Sequence, residues 1–131
     1  MIVGYTDLPE PAGSSPRPLL DLAVGDVDDL VVPCLVDSGA VHTLLPRWLA
    51  VSAGVALDGA QRRALAVAGA GTDAAFITCR LAAAGHTWEA PVGFADPWPY
   101  SWGLLGHEAF FRFFTVTFRG ADLEFEVDPI V

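Results

Sequence analysis

In the stretch LVVPCLVDSGAVHTLLP, residues 30–46, a single carboxylate, Asp37, separates two apolar runs. No other feature constrains the chain as strongly. A charge set between two segments that both read as buried must be offset by a partner, a hydrogen bond or water. Asp37 is therefore either part of a turn at the end of a strand or part of a chemical site.

The rest of the chain reads mostly as short strands. IVGY opens, and PEPAGSSPRP follows as a polar, proline-rich loop. PLLDLAVG and LVVPCLV flank the acidic DVDD, the pattern of a hairpin, so Asp37 stands just past its second strand. Pro46 suits a first helical position, and Gly54 a stop, which predicts a short helix over PRWLAVSAG. RALAV and AAFITCRLAAAG around AGAGTD form a second hairpin, with Gly69 and Gly71 supplying the backbone freedom of its tip. HTWEAPVGF, the aromatic DPWPYSW and GLLG come next. In HEAFFRFF the spacing of Phe110, Phe113 and Phe114 predicts a helix with one face toward the core. In FTVTFRGADLEFEV, Phe114, Val116 and Phe118 alternate, as do Leu123, Phe125 and Val127; Glu124 and Glu126 occupy the opposite face. That is a strand pair with one apolar side. The 131 residues, 53% apolar with four Trp and eight Phe, suffice for one domain, opened by an N-terminal strand and loop over 1–17.

Composition narrows the function. A net charge of −9, with seven Arg, no Lys and sixteen acids, offers no basic face for phosphates, so nucleic acid is disfavoured as a partner. No charge-free apolar run approaches the ~18 residues of a membrane helix, and MIVGYTDLPEP lacks the features of a signal peptide. The expectation is a cytoplasmic protein without a membrane partner. Cys34 and Cys79 lie in apolar runs without CxxC spacing and read as two buried thiols, a disulfide being the alternative. His42, His86 and His107 lack metal-ligand spacing and read as solvated or hydrogen-bonded, so neither metal nor cofactor is expected. AGAGTDAAF lacks the lysine of a phosphate-binding loop, and Ser38 is outside a G-x-S-x-G elbow. The aromatics from Trp98 to Trp102 suit either a pocket wall or buried packing.

One ordered set of motifs is more specific. LVDSGAVHTLLP, then VAGAGT, then GLLGHEAFFRFFTVTF resembles the retropepsin-like aspartic proteases, particularly their bacterial single-domain members, over roughly residues 18–127. The resemblance implies an all-β fold, mainly β with one or two short helices, arranged as an acid-protease half-barrel. It implies Asp37 as the catalytic residue. Ser38, Gly39 and Ala40 would support its loop, Gly39 by permitting the tight turn and the Ser38 hydroxyl by hydrogen bonding across the dyad. Ala68, Gly69, Ala70, Gly71 and Thr72 match the flap that closes over an extended peptide. Leu104, Leu105 and Gly106 match the segment that packs beside the catalytic loop.

The chemistry behind this pattern needs two carboxylates around one water, sharing a proton because like charges so close cannot both ionise cheaply. Only one D-[ST]-G occurs here, so the resemblance implies a homodimer with one Asp37 from each subunit, acting on a peptide or protein substrate. The strands at the two chain ends, IVGY and LEFEV, are candidates for its interface or for closing the subunit's own sheet. Two positions depart from the retroviral pattern: Val41 and His107 stand where those proteases carry an acid and an arginine that pair. Losing both partners strands no charge, but it removes a support of dimer and peptide grip. The alternatives are an inactive retropepsin-fold module that binds peptides or dimerises, and a plain turn in which Asp37 caps local amides.

Overall fold

A computed structural model describes residues 1–8, 15–26 and 30–130. Twelve strands occur among them, with one short α-helix and two single helical turns. The strands β4 (Leu19–Val24) and β5 (Val31–Val36) form the expected hairpin, Leu20 facing Cys34 and Leu22 facing Val32. Alternation decides which way they face. Leu20, Leu22 and Val24 of one strand and Val32, Cys34 and Val36 of the other are all buried. The acidic turn DVDD lies largely outside the described residues, Asp26 excepted.

A ring of strands follows from this hairpin. β10 (Gly103–Leu105) runs parallel to β5 and antiparallel to β6 (Leu44–Pro46), lying between them. β6 is parallel to β9 (His86–Asp96), which pairs antiparallel with β8 (Ala70–Ala83) along eleven residues. β8 returns to β4 through Ala82 with Ala23 and Leu81 with Val24, closing the circle. β7 (Gln61–Val67) hangs outside the ring on the first half of β8. Phe94, Phe110, Phe114, Phe125, Leu22, Leu45, Leu49 and Leu81 are fully enclosed, each side chain contributing about 2 kcal/mol of burial.

The chain ends meet in a second sheet, where β1 (Ile2–Gly4) pairs with β12 (Glu124–Pro129) and β12 with β11 (Phe114–Arg119). Both terminal strands are therefore used within one subunit. In a third, two-stranded sheet β2 (Thr6–Asp7) pairs with β3 (Pro16–Arg17), so the end of the proline-rich loop is extended strand.

Four details differ from the sequence expectations. The helix α1 (Arg47–Ser52) begins one residue late, because Pro46 is extended (φ −62°, ψ 141°), ends β6 and serves as the N-cap. The helix expected over HEAFFRFF is a single π-type turn, His107–Phe111, in which Phe111 N–H donates to Gly106 O at 3.2 Å. Phe114 already belongs to β11, although its ring still stacks on Phe110 at 4.9 Å, so the aromatic contact survives without the helix. Leu123 takes a left-handed conformation (φ 51°), which puts it outside β12 and leaves it exposed.

Candidate active site

The end of β5 and the end of β10 lie side by side, and together they build the loop that carries Asp37. The Asp37 N–H donates to Leu105 O at 3.0 Å, continuing the parallel ladder one residue past the strand. Ala40 N–H then closes a turn on Asp37 O at 3.1 Å. Inside that turn Gly39 N–H donates to Asp37 Oδ1 at 2.9 Å, and a side chain at Gly39 would begin 3.2 Å from the same oxygen. The glycine thus leaves the carboxylate room while its amide aims it. Asp37 is half-buried, whereas Ser38 and Gly39 are exposed.

Gly106 locks the loop from behind. A Cβ there would fall 2.4 Å from His42 O and 2.7 Å from Ala40 O, a separation no side chain can occupy. Its N–H donates to Thr43 Oγ1 at 3.0 Å, and Thr43 is completely buried. The π-type turn adds two backbone bonds, His107 N–H to Ala40 O at 3.0 Å and Glu108 N–H to Val41 O at 2.9 Å. The His107 ring contributes a third: Nε2 lies 2.6 Å from Ser38 O and, facing a carbonyl, must donate. The two departures from the retroviral pattern thus have different fates. Val41 is 57% exposed at the edge of the loop, while His107 ties the Asp37 loop down by a hydrogen bond to Ser38 O. Sequence reasoning missed Thr43 and this use of His107: both stand inside the quoted motifs, but their hydrogen bonds join segments far apart in the chain.

A cleft of about 380 Å³ opens above Asp37. Its floor is Asp37, Gly39, Ala40 and Leu104, and its roof is Leu65, Val67 and Ala68 from β7 and the hairpin tip. The tip is a two-residue turn: Ala68 (φ 51°) and Gly69 (φ 81°) both take positive φ, as a type I′ turn requires. The freedom expected of Gly71 is not used, for it lies in β8 opposite Ala66. Ala70 and Gly71 are exposed, and Thr72, opposite Leu65, is buried with Oγ1 donating to Pro97 O at 2.6 Å. The structure therefore brings Ala68 to the cleft, while Thr72 does not line it. Leu65 and Val67, whose alternation in RALAV was legible, are the roof residues that the sequence reading did not single out.

Around this site the aromatic segment both packs and lines. Tyr100 and Trp102 stack at 4.5 Å, and Trp98 with Tyr100 faces Val67 and Thr72 across a smaller pocket of about 130 Å³. At the foot of the hairpin Asp73 is bound by Arg62 and approached by Arg47 at 3.7 Å, and the Arg62 hydrogen bond chiefly holds its carboxyl below the ordinary range. Burial pushes the Cys34 thiol far up and that of Cys79 up to about 11; both are free and buried. His42 meets Phe76 edge-on at 4.9 Å, and His86 lies over Trp88 at 6.3 Å. Among the described residues no group of His, Cys, Asp and Glu could hold a metal ion, and no helix is long and apolar enough to cross a membrane.

No protein-family model matches the chain, and no curated protein does. Solved structures do. A retropepsin-like aspartic protease from Rickettsia conorii superposes with a TM-score of 0.64 at 21% identity, covering 96% of this chain and 97% of its own. The fold is retropepsin-like. The retroviral protease-like domain of Ddi1 from Leishmania major agrees, with a TM-score of 0.53 at 16% identity over 70% of this chain and 73% of that one. Asp37 at the floor and the Ala68–Gly69 hairpin at the roof are thus elements of a retropepsin-like fold.

Proposed function

We propose that this chain is an aspartic endopeptidase that works as a homodimer, with one Asp37 from each subunit forming the dyad. The observation that carries the proposal is the placement of Asp37: its carboxylate is aimed by the Gly39 amide at 2.9 Å, at the floor of a peptide-sized cleft and under a hairpin. One carboxylate takes a proton from water while the other protonates the peptide oxygen, so hydrolysis needs no nucleophilic side chain. The exposure of Ser38 and Gly39 leaves the loop accessible to a second copy. In that dimer the Ser38 hydroxyl braces the two loops, Ala40 and Leu104 line the floor, and the segment from Ala68 to Thr72 closes as the flap. Leu105 and Gly106 hold the loop from below.

The second reading, a module that binds peptides or dimerises without cutting them, is favoured by one feature: Val41 presents no acid to grip a peptide main chain. Cleavage of a peptide library, followed by mass spectrometry, separates the two. The expected result is cleavage that disappears in Asp37→Asn with the fold retained, and that is suppressed when an excess of Asp37→Asn chains exchanges into the active dimer. Cleavage unchanged in the variant would refute the dyad, and binding without cleavage by the parent chain would establish the second reading.

A further inference from the structure

β7 carries one stripe of side chains, Gln61, Arg63, Leu65 and Val67, spaced two residues apart and so directed to one face of the strand. The stripe changes character along its length. Leu65 and Val67 roof the cleft over Asp37, while Gln61 and Arg63 line a separate pocket of about 220 Å³. His42 is a wall of both, so the two spaces adjoin. The pocket is built around the Phe76 ring, with the Arg63 guanidinium 5.7 Å above its centroid and His42 edge-on at 4.9 Å. The ring fixes the cation without neutralising it.

On the same strand Arg62 faces the other way and is bound to Asp73, whereas Arg63 makes no ion pair with an acid among the described residues. The acid of the pocket, Glu108, is already engaged by Arg112 at 2.9 Å. The uncompensated groups facing the space are therefore the Arg63 cation and the Gln61 amide, with the His42 ring beside them. In a protein of net charge −9, such a cationic spot along a cleft is set against the general field.

We propose that Arg63 determines substrate specificity by receiving an acidic side chain of the peptide, two residues outward from the apolar side chain seated under Leu65 and Val67. An extended peptide places side chains i and i+2 on one face about 7 Å apart, matching the step from the apolar to the polar half of the stripe. This rests on the peptidase reading above, and two-fold symmetry repeats the pocket on both sides of the scissile bond. The preferred sequence thus carries two apolar residues at the centre and an acid two positions outward on each side.

The test uses the Asp37→Asn chain, which holds a peptide without consuming it, and fluorescence anisotropy. The probes are labelled six-residue peptides with two central leucines, flanked two residues outward by Glu, Gln or Lys. The Glu peptide is expected to bind about fivefold more tightly than the Gln peptide at low salt, the gap narrowing as salt rises. Adding Arg63→Glu should reverse the order in favour of Lys, and adding Arg63→Gln should abolish it. Equal affinities for the three peptides, a preference untouched by either Arg63 substitution, or no binding of any of them would overturn the proposal. Cleavage of Glu and Gln peptides alike by the parent chain would remove the specificity and leave the peptidase reading standing. A clear Glu preference in binding without cleavage would do the opposite.

Discussion

The floor and the roof of the cleft are built on opposite principles. The floor is crowded: Asp37, Ala40, Val41 and Ser38 each take part in a hydrogen bond to the segment 105–108, and Gly106 fits only because it lacks a side chain. The roof is open. Among the described residues β7 pairs only with β8, most of its residues are exposed, and added Cβ atoms at Gly69 or Gly71 would meet nothing within 4 Å. In the proposed dimer, a carboxylate set at a fixed distance from its partner would benefit from the first arrangement, and a hairpin that admits a peptide from the second. Preorganisation and access are thus assigned to different strands of the same sheet.

Substitutions can break this contrast, and the floor should fail hardest. Gly106→Ala sets a methyl against two backbone carbonyls that cannot step aside, and a loss of about 3 kcal/mol or more is expected in urea denaturation. Thr43→Val is nearly isosteric but leaves the buried Gly106 N–H without an acceptor; a cost of about 1–3 kcal/mol should appear in the same measurement. A Thr43→Val chain as stable as the parent would show that the floor is not held from behind as described.

The roof should yield less. Gly69→Val forces a β-branched residue to φ 81° and should cost about 1–2 kcal/mol, whereas Gly71→Val, in extended strand, should stay within about 0.5 kcal/mol. Comparable losses at the two glycines, by thermal melting, would contradict the two-residue turn. The smallest effect belongs to the terminal sheet, which is neither floor nor roof. There Arg119 donates to Glu126 at 2.6 Å and holds its carboxyl below the ordinary range. A depressed carboxyl stabilises the fold above its unfolded pKa, about 4.3, and loses that contribution as pH falls through the folded value. The stability gap between the parent and Glu126→Gln should therefore be present at neutral pH and close as pH falls below the unfolded value; a gap that persists in acid would exclude the ion pair as its cause.

What could be read from the sequence divides along the same line. The β4–β5 hairpin was legible because its buried positions alternate, and the turn at Asp37 because glycine and a charge interrupt an apolar run. The approach of GLLG to that turn came from an ordered family pattern, not from local physics. Long-range choices left no local mark. LLP is too short and too apolar to announce a strand between two others, and Phe110, Phe113 and Phe114 are spaced as on a helix although Phe114 reaches its partner from a strand. Gly71 resembled a turn residue because its neighbour Gly69 is one, but Ala68 supplies the second positive φ. The support that His107 gives Ser38 depends on two loops 69 residues apart.

The closure of the ring has its own consequence. Its seams are uneven: β10 meets β6 through one residue pair and β8 meets β4 through two, against eleven where β8 meets β9. Two thiols stand near these short seams, one on β8 and one on β5 beside β10. Cys79 lies two residues before Leu81, at the seam itself, and Cys34 lies on the strand that delivers Asp37, opposite Leu20. Both are buried and held protonated, hence inert to alkylation until their surroundings part. Mass tags laid down over time on one sample would therefore act as two clocks, Cys79 reporting opening beside the β8–β4 seam and Cys34 opening of the strand beneath the carboxylate.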